Sequence, residues 1–495
     1  MDGEDILLWR PLLQEVIDMR QVVRQLWQTC LVVLCGSFFT VAVTLAAAPS
    51  SGSSPLTLWQ AMDYALEHYP AVRESLAKQK EAQAGIDLAE INYLPRVEIG
   101  IQGTRSTFNN VSGMFFPNSF FQPISGPDLG RSSYSSSWGS AAGVLLAWEP
   151  FDFGLRSAQV GTAQAIERSS QAFITLTQLE VALAVGDAYI NVIMAEASRQ
   201  ALQANLERRL IFARTVDVLV RNQLRAGVDR SRAQAETAVA RTQLLEAEQV
   251  ERSRRATLAQ VLGKAGDHIS INDPVLGSFP RGSVPDEKDP AQHPLALVQK
   301  AAAEIPKKRE EALAKAWTPK FTLQSSFFGR GSGWDNRGNR DGGGEGLLPD
   351  VPNWAVGLTA TFALLDFSTI RAQQHQEHYR NVAEMARYDR VIQELTAEQV
   401  KARSIMDSTK RIAENTPIQL RSARLTESQA EAQFKAGLST VVEVSEAQRL
   451  VVQAEVEDAR ARLGVWKALL TLSGVQGELS QFLLLVRPPS SPDIK

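Results

Sequence analysis

Three groups of residues in this sequence carry side chains at spacings that chemistry could use. Asp152-Phe153-Gly154 has the form of the magnesium-binding loop of protein kinases, but neither a glycine-rich phosphate loop nor a catalytic loop accompanies it. His375 and His378 stand three apart on a helical stretch and could hold a metal, yet no acidic or cysteine ligand falls at the usual spacing. They read as solvated histidines. Carboxylates are plentiful but too dispersed for any pair to be named as the acid and base of a glycosidase. Both cysteines, Cys30 and Cys35, lie in an N-terminal apolar segment, so a chain without that segment has neither disulfide nor thiol chemistry. A formal charge of -3 over 495 residues gives no basic field for nucleic acid. The expectation is a protein that is no enzyme and holds no cofactor or metal.

The elements that carry these residues come in two similar halves. Ahead of them, Arg20 and Arg24 precede an apolar run over 30–48 that ends in Ala46-Ala47-Ala48, the form of an export signal. The run is also about the length that spans a bilayer, so a retained anchor is the rival reading. Cleavage after Ala47 or Ala48 is expected, with Met19 as the natural start, and Leu34 before Cys35 argues against a lipoprotein signal. The organisation read from the sequence is a signal over 1–48, a first repeat over 49–272, a linker over 273–292, a second repeat over 293–475 and a tail over 476–495.

Four landmarks carry the repeat. Tyr69-Pro70 and Pro95 in the first half match His293-Pro294 and Pro319 in the second, with 25 residues between the prolines in each. Asp152-Phe153 matches Asp366-Phe367, Gln223-Leu224-Arg225-Ala226-Gly227 matches Gln433-Phe434-Lys435-Ala436-Gly437, and Leu262-Gly263 matches Ser473-Gly474. The offsets are 224, 214, 210 and 211, which places a variable loop between the proline and aspartate landmarks.

Each half opens with a helical stretch, 58–94 or about 295–318, that stops at a proline lacking the donor a helix needs. Strands follow. Residues 97–104 and 321–327 alternate apolar or small with polar, and the return strands are 140–148, apolar on both faces, and 354–364, about the length of a tilted membrane strand. Taken alone the pattern also fits a soluble hairpin. Trp138, Trp148, Trp317 and Trp354 fall at strand ends, where an aromatic girdle would lie, and long Gly- and Ser-rich loops over 108–137 and 331–353 join the strands. In the first loop, residues 114–117 and 120–121 are more apolar than an exposed loop should be, which suits a lid or packing beneath other loops.

Very long helices come next. Residues 156–225 lack proline and would reach about 105 Å as one helix. A turn is expected at Ala226-Gly227, where glycine permits left-handed backbone, and a helix over 229–262 returns. Two shorter helices laid end to end would match each long one. Four strands cannot close a membrane barrel, so further copies must supply more; eight, twelve or sixteen strands would fit two, three or four copies.

In this order and repeated twice, Leu56-Thr57-Leu58-Trp59-Gln60-Ala61 with Tyr69-Pro70, Tyr93-Leu94-Pro95, Pro150-Phe151-Asp152-Phe153-Gly154 and the paired Arg225-Ala226-Gly227 and Lys435-Ala436-Gly437 turns resemble the TolC-like outer-membrane efflux proteins over about 56–474. The resemblance implies a mixed fold of transmembrane β and long periplasmic α elements. It implies a homotrimer with a 12-stranded barrel in outer-membrane lipid and a helical tunnel below. It further implies a passive exit channel of a tripartite efflux pump or type I secretion system. Its partners would be a periplasmic adaptor and an inner-membrane pump of the RND, ABC or MFS type. The rival reading is a membrane-anchored helical scaffold without a pore.

By the same resemblance, Arg225, Ala226, Gly227, Lys435, Ala436 and Gly437 form periplasmic tips where the adaptor docks, and Arg221, Arg230 and Arg232 crowd the first of them. Glu443 and Glu446 match an acidic pair that rings the tunnel entrance and favours cations; mutual repulsion should raise some of their pKa values. The chain departs from the best-known member's closed-state lock, with Phe434 at the tyrosine-like aromatic position, Ser439 at the arginine's and Ala233 at the aspartate's. Pro417 removes a helix hydrogen bond and is a candidate hinge.

Overall fold

The structure is a computed structural model that describes residues 55–107, 134–280, 287–334, 344–362 and 365–487. The export signal, the apolar loop residues 114–117 and 120–121 and the end of the tail lie outside the described residues.

Chain order follows the two halves. In the first are α1 (Leu58–His68), α2 (Pro70–Ile91), β1 (Arg96–Thr107), β2 (Ser136–Phe151), α3 (Leu155–Arg221) and α4 (Gly227–Val261). In the second are α5 (Pro294–Leu313), β3 (Lys320–Ser332), β4 (Val351–Thr361), α6 (Asp366–Lys435), α7 (Val441–Val475) and a short α8 (Ser480–Val486). A single 3-10 turn, Pro290–Gln292, leads into α5.

The opening helical stretch is two helices rather than the single one expected over 58–94. Pro70 forces Tyr69 into extended backbone (φ -67°, ψ 134°), which ends α1 and starts α2 with proline at its first position. A capping box between Thr57 and Gln60, together with a hydrogen bond from the Leu58 N–H to Asp273 Oδ2 (2.9 Å), fixes the start of α1. Helix α5 is likewise shorter than expected, ending at Leu313, with turns leading into β3.

The 67 residues of α3 extend about 100 Å. The shorter helices α2 and α4 both pack along α3, and α5 and α7 both pack along α6; α3 also touches α5 and α7. Gly186 on α3 and Gly474 on α7 allow the close approach. A Cβ on either would fall within 2.7 Å of a leucine side chain across the interface, Leu470 or Leu183. The largest core gathers where the short helices abut, around Trp466, Tyr189, Phe482, Leu58 and Met62, each 2% exposed or less. The segment expected as a linker enters this core through Leu276, just after Ile271 at the end of the expected first repeat bridges to Leu56, and the start of the expected tail enters it through Phe482. A separate, smaller core at the far end of the helices contains Phe212, Val216, Ala233, Phe434, Val441 and Val444.

The four strands form one antiparallel sheet in the order β1-β2-β3-β4, so β2 and β3 join the halves and β1 and β4 are its edges. At 16 residues, β2 is longer than the expected 140–148 because serine and glycine residues before Ser140 extend its pairing with β1.

One expectation about the repeat is corrected. From Asp152 and Asp366 onward the halves superpose at a constant offset of 214, not 210 or 211. Helices α3 and α6 end at Arg221 and Lys435, and α4 and α7 run over Gly227–Val261 and Val441–Val475. The left-handed residue of the first turn is Gln223 (φ 62°), equivalent to Gly437 (φ 75°); Gly227 is already helical. In both turns the residue after it donates back across the helix end, Leu224 to Leu219 and Leu438 to Gln433, which closes the cap geometrically. The helix ends likewise pair Gly263 (φ 73°) with Gly477 (φ 76°) rather than with Gly474.

Candidate functional site: the helix tips and the sheet face

At the far end of the helices, the two turns touch each other. Phe434 is 3% exposed and packs edge-on to Phe212 with ring centroids 5.0 Å apart. From the first turn, the Arg225 guanidinium sits 4.7 Å above the Phe434 ring and donates through Nη2 to the Ser439 carbonyl at 3.0 Å. The buried Ser439 hydroxyl donates back to the Ala430 carbonyl. Phe434, Ser439 and Arg225 therefore form one clasp between residues 214 apart in sequence, and an arginine over an aromatic face supplies a hydroxyl-free contact.

The basic crowding at the first turn is largely neutralised. Asp217 receives Arg221 at 2.8 Å on one oxygen and Arg230 at 2.8 Å on the other. About two turns further in, Arg209 is buried; it pairs with Glu236 at 2.9 Å and donates to the Ser445 carbonyl. Arg208 is shared by Glu455 and Glu427. Burial pushes the Glu427 carboxyl above its ordinary range, with Glu431 and Glu455 adding to the rise against the pull of Arg208.

Glu443 and Glu446 both lie exposed on the first turns of α7, where Thr440 caps the helix by accepting from the Glu443 N–H. They share that end of the fold, and Glu446 is bound in two places by Arg449 (2.9 and 2.5 Å). Within one chain that hydrogen bond holds the Glu446 carboxyl below its ordinary range. Pro417 is exposed and lies inside an unbroken α6; next to it, Thr416 donates to Asp458 of α7 at 3.1 Å. Sequence reasoning missed Arg449, Asp217 and the clasp of Arg225. It also missed Leu224 and Leu438, which occupy equivalent positions on the two turns and are 69% and 81% exposed. A four-residue shift of the repeat alignment is the signal that would have paired them.

The sheet presents two unlike faces because successive residues point opposite ways. One face reads Ile99, Val144, Phe327 and Trp354 across the four strands in one row, and Val97, Leu146, Ser325 and Val356 in the next. Ile99 is 78% and Trp354 76% exposed. The other face carries Glu98, Gln102, Thr104, Gln324, Ser326 and Asn353. Trp148, donating to the Tyr93 carbonyl, and Trp317 lie at the helix end of the strands, whereas Trp138 and Trp354 lie inside β2 and β4 near their other ends. Among the described residues no three metal-binding side chains converge, and His378 has Glu310 as its neighbour at 3.5 Å.

A chain with a polar and an exposed apolar sheet face set on paired helices of this length has counterparts. The sequence profile of outer membrane efflux proteins matches residues 61–264 and 296–478. The chain belongs to this family. Protein CyaE of Bordetella pertussis is 33% identical over 220 residues, 43% of this chain, and the match spans only 41% of that relative's length. Among solved structures, CusC superposes with a TM-score of 0.71 at 14% identity, over 85% of this chain and 92% of that one. The open state of the Neisseria gonorrhoeae MtrE outer membrane channel gives 0.68 at 18% identity, over 85% and 89%. CmeC of Campylobacter jejuni gives 0.69 at 14%, over 85% of each. At these identities the likeness establishes the fold. As an outer membrane efflux protein, the chain places its strands in the outer membrane and its long helices in the periplasm.

Proposed function

We propose that three copies of the chain form a passive exit duct through the outer membrane, fed by an inner-membrane pump through a periplasmic adaptor. The supporting observation is the sheet: its apolar face is exposed, its other face is richer in polar residues, and among the described residues β1 and β4 leave both edges unpaired. In lipid, unpaired backbone groups cost several kcal/mol each, so the edges require strands from neighbouring copies. The number three and the adaptor come from the family. Export would draw on a tripartite pump of the RND, ABC or MFS class or on type I secretion.

The turns at Arg225-Ala226-Gly227 and Lys435-Ala436-Gly437 are the docking tips in this reading, with exposed Leu224 and Leu438 as the apolar contacts. Glu443 and Glu446 line the entrance; with Arg449 bound to Glu446, Glu443 carries the larger share of cation preference. The clasp around Phe434 and Ser439 holds the entrance closed, and Pro417 lets α6 bend as it opens.

Extraction of outer-membrane fractions tests the reading as a whole. Heat-resistant trimers that conduct in planar bilayers once Arg225→Ala has opened the clasp are expected; monomers retained in the inner membrane would overturn it. For the hinge, unchanged conductance and transport in Pro417→Ala would exclude a role.

A further inference from the structure

The apolar sheet face ends, toward the helices, in a groove of about 580 Å³ lined by Pro150, Phe151, Phe153, Phe321, Leu323 and Leu358. Two local departures from regular backbone deliver aromatic rings to it. The even residues of β2, such as Val144, Leu146 and Trp148, share the face of Leu323 and Phe327, so the odd-numbered Phe151 belongs by alternation to the polar face. A bulge between Trp148 and Phe151 adds one residue and sets Phe151 directly opposite Phe321, on the apolar face instead. Phe153 then adopts left-handed backbone (φ 51°), an unfavourable region for a bulky residue, and packs its ring 6.1 Å from that of Phe321.

A clamp enforces that conformation. Asp152 accepts from the N–H groups of Gly154 (3.1 Å) and Arg156 (2.5 Å), and the buried Arg156 pairs with Glu149 at 3.2 Å. The second repeat does without it: Phe367, the equivalent of Phe153, lies in the first turn of α6. The strain is therefore particular to this corner, yet both Phe151 and Phe153 remain more than half exposed.

We infer that the groove binds one acyl chain of a glycerophospholipid from the periplasmic leaflet. The groove continues the face turned to lipid, on which the inference rests, and it lies at the end of the strands nearest the periplasmic helices. A cation stands at its rim. The Lys315 ammonium lies 3.2 Å from where a Cβ on Gly154 would be, next to Phe153, and has no ion-pair partner among the described residues. An acyl chain along the rings of Phe151, Phe153 and Phe321 would carry its phosphate to this lysine.

The test is native mass spectrometry of the full chain taken from membranes into mild detergent. The wild type is expected to keep one phospholipid per chain. Phe153→Asn, which tolerates left-handed backbone but lacks the ring, is expected to lower that occupancy about tenfold. Lys315→Gln should reduce the preference for phosphatidylglycerol over phosphatidylethanolamine. Phe327→Asn, on the same face outside the groove, should keep the lipid. Equal retention in Phe153→Asn, or no lipid on the wild type, overturns the inference. Loss of assembly in Phe153→Asn with no lipid on the wild type would assign the groove to a neighbouring copy. Labelling of the membrane-embedded wild type by a photoactivatable phospholipid at Ile99 and Trp354 reports separately on the lipid-facing reading: no label there would count against that face alone.

Discussion

The waist and the tips of the helical part are built from the same four long helices but held in different ways. At the waist, α1, α8 and the segment around Ile271 close over α3 and α7, and Trp466 is fixed by Phe482 and by a hydrogen bond to the Ser278 carbonyl at 2.9 Å. At the tips none of the described residues gives such cover. A small core of eight buried residues is closed by one arginine over one phenylalanine. Between the two cores lies a polar band in which Asn205 and Gln448 are buried with side-chain atoms that have no hydrogen-bond partner among the described residues. Unsatisfied buried groups cost about 1–3 kcal/mol each. The difference teaches that the chain spends its packing on a rigid waist and leaves the tips joined to it through a weak layer, which suits the opening proposed for them.

Mutations can break this comparison, beginning with the largest effect. Trp466→Ala removes the centre of the waist core and should cost about 3–5 kcal/mol, read as a lower denaturation midpoint for the whole helical part. Phe434→Ala should cost about 3 kcal/mol at its site, but hydrogen exchange should speed up only in the last turns of α3 and α6 and the first turns of α4 and α7 while the waist stays protected. Arg225→Ala should cost about 1–2 kcal/mol and raise single-channel conductance, whereas Arg225→Lys, with a point charge instead of a planar fork, should restore only part of the closure.

Gln448→Leu has the opposite sign. Exchanging a fully buried, unpaired amide for an apolar side chain of similar size should leave stability unchanged or raise it by about 1 kcal/mol, and it should slow opening. Destabilisation comparable with Trp466→Ala would show that the band is not a weak layer.

Acidity separates two carboxylates near the tips. The folded-state pKa of Glu446 is lowered, so its contribution is present above the unfolded value and is lost as pH falls through the folded one. For Glu427 the folded pKa is raised, so its ionised form works against folding, and that opposition disappears as pH falls through the folded value. Glu427→Gln should therefore flatten the part of the tip's pH profile lying above the ordinary glutamate range, and Glu446→Gln the part below it. Hydrogen exchange at α6 and α7 across that range measures both.

Much of this architecture was legible in the sequence, because helix stops, alternation and long proline-free stretches are local signals. The two strand pairs and the long helix α3 follow directly from them. The split at Tyr69-Pro70 was legible too, had the proline been read as a start as well as a stop. The tip register was harder. The likeness of Arg225-Ala226-Gly227 to Lys435-Ala436-Gly437 falls on positions one helical turn apart, and only the cap geometry at Gln223 and Gly437 reveals it. The clasp was beyond reach, since nothing in sequence spacing tells that Arg225 and Phe434 meet. The Glu446 pairing with Arg449 is a local i, i+3 contact and could have been read.

The constant offset of 214 residues from Asp152 and Asp366 to Gly263 and Gly477 has a mechanical consequence. Each half is a leg standing on the sheet, and the two legs have equal length to the residue. An extra residue in one helix alone would lengthen it by about 1.5 Å and swing every later side chain by roughly 100°. A foot seven residues short would end about 10 Å above its twin. The two turns could then no longer share a single arginine. All the freedom to vary in length has been left at the loop side of the strands, where the offset falls from 224 to 214 and no leg is disturbed.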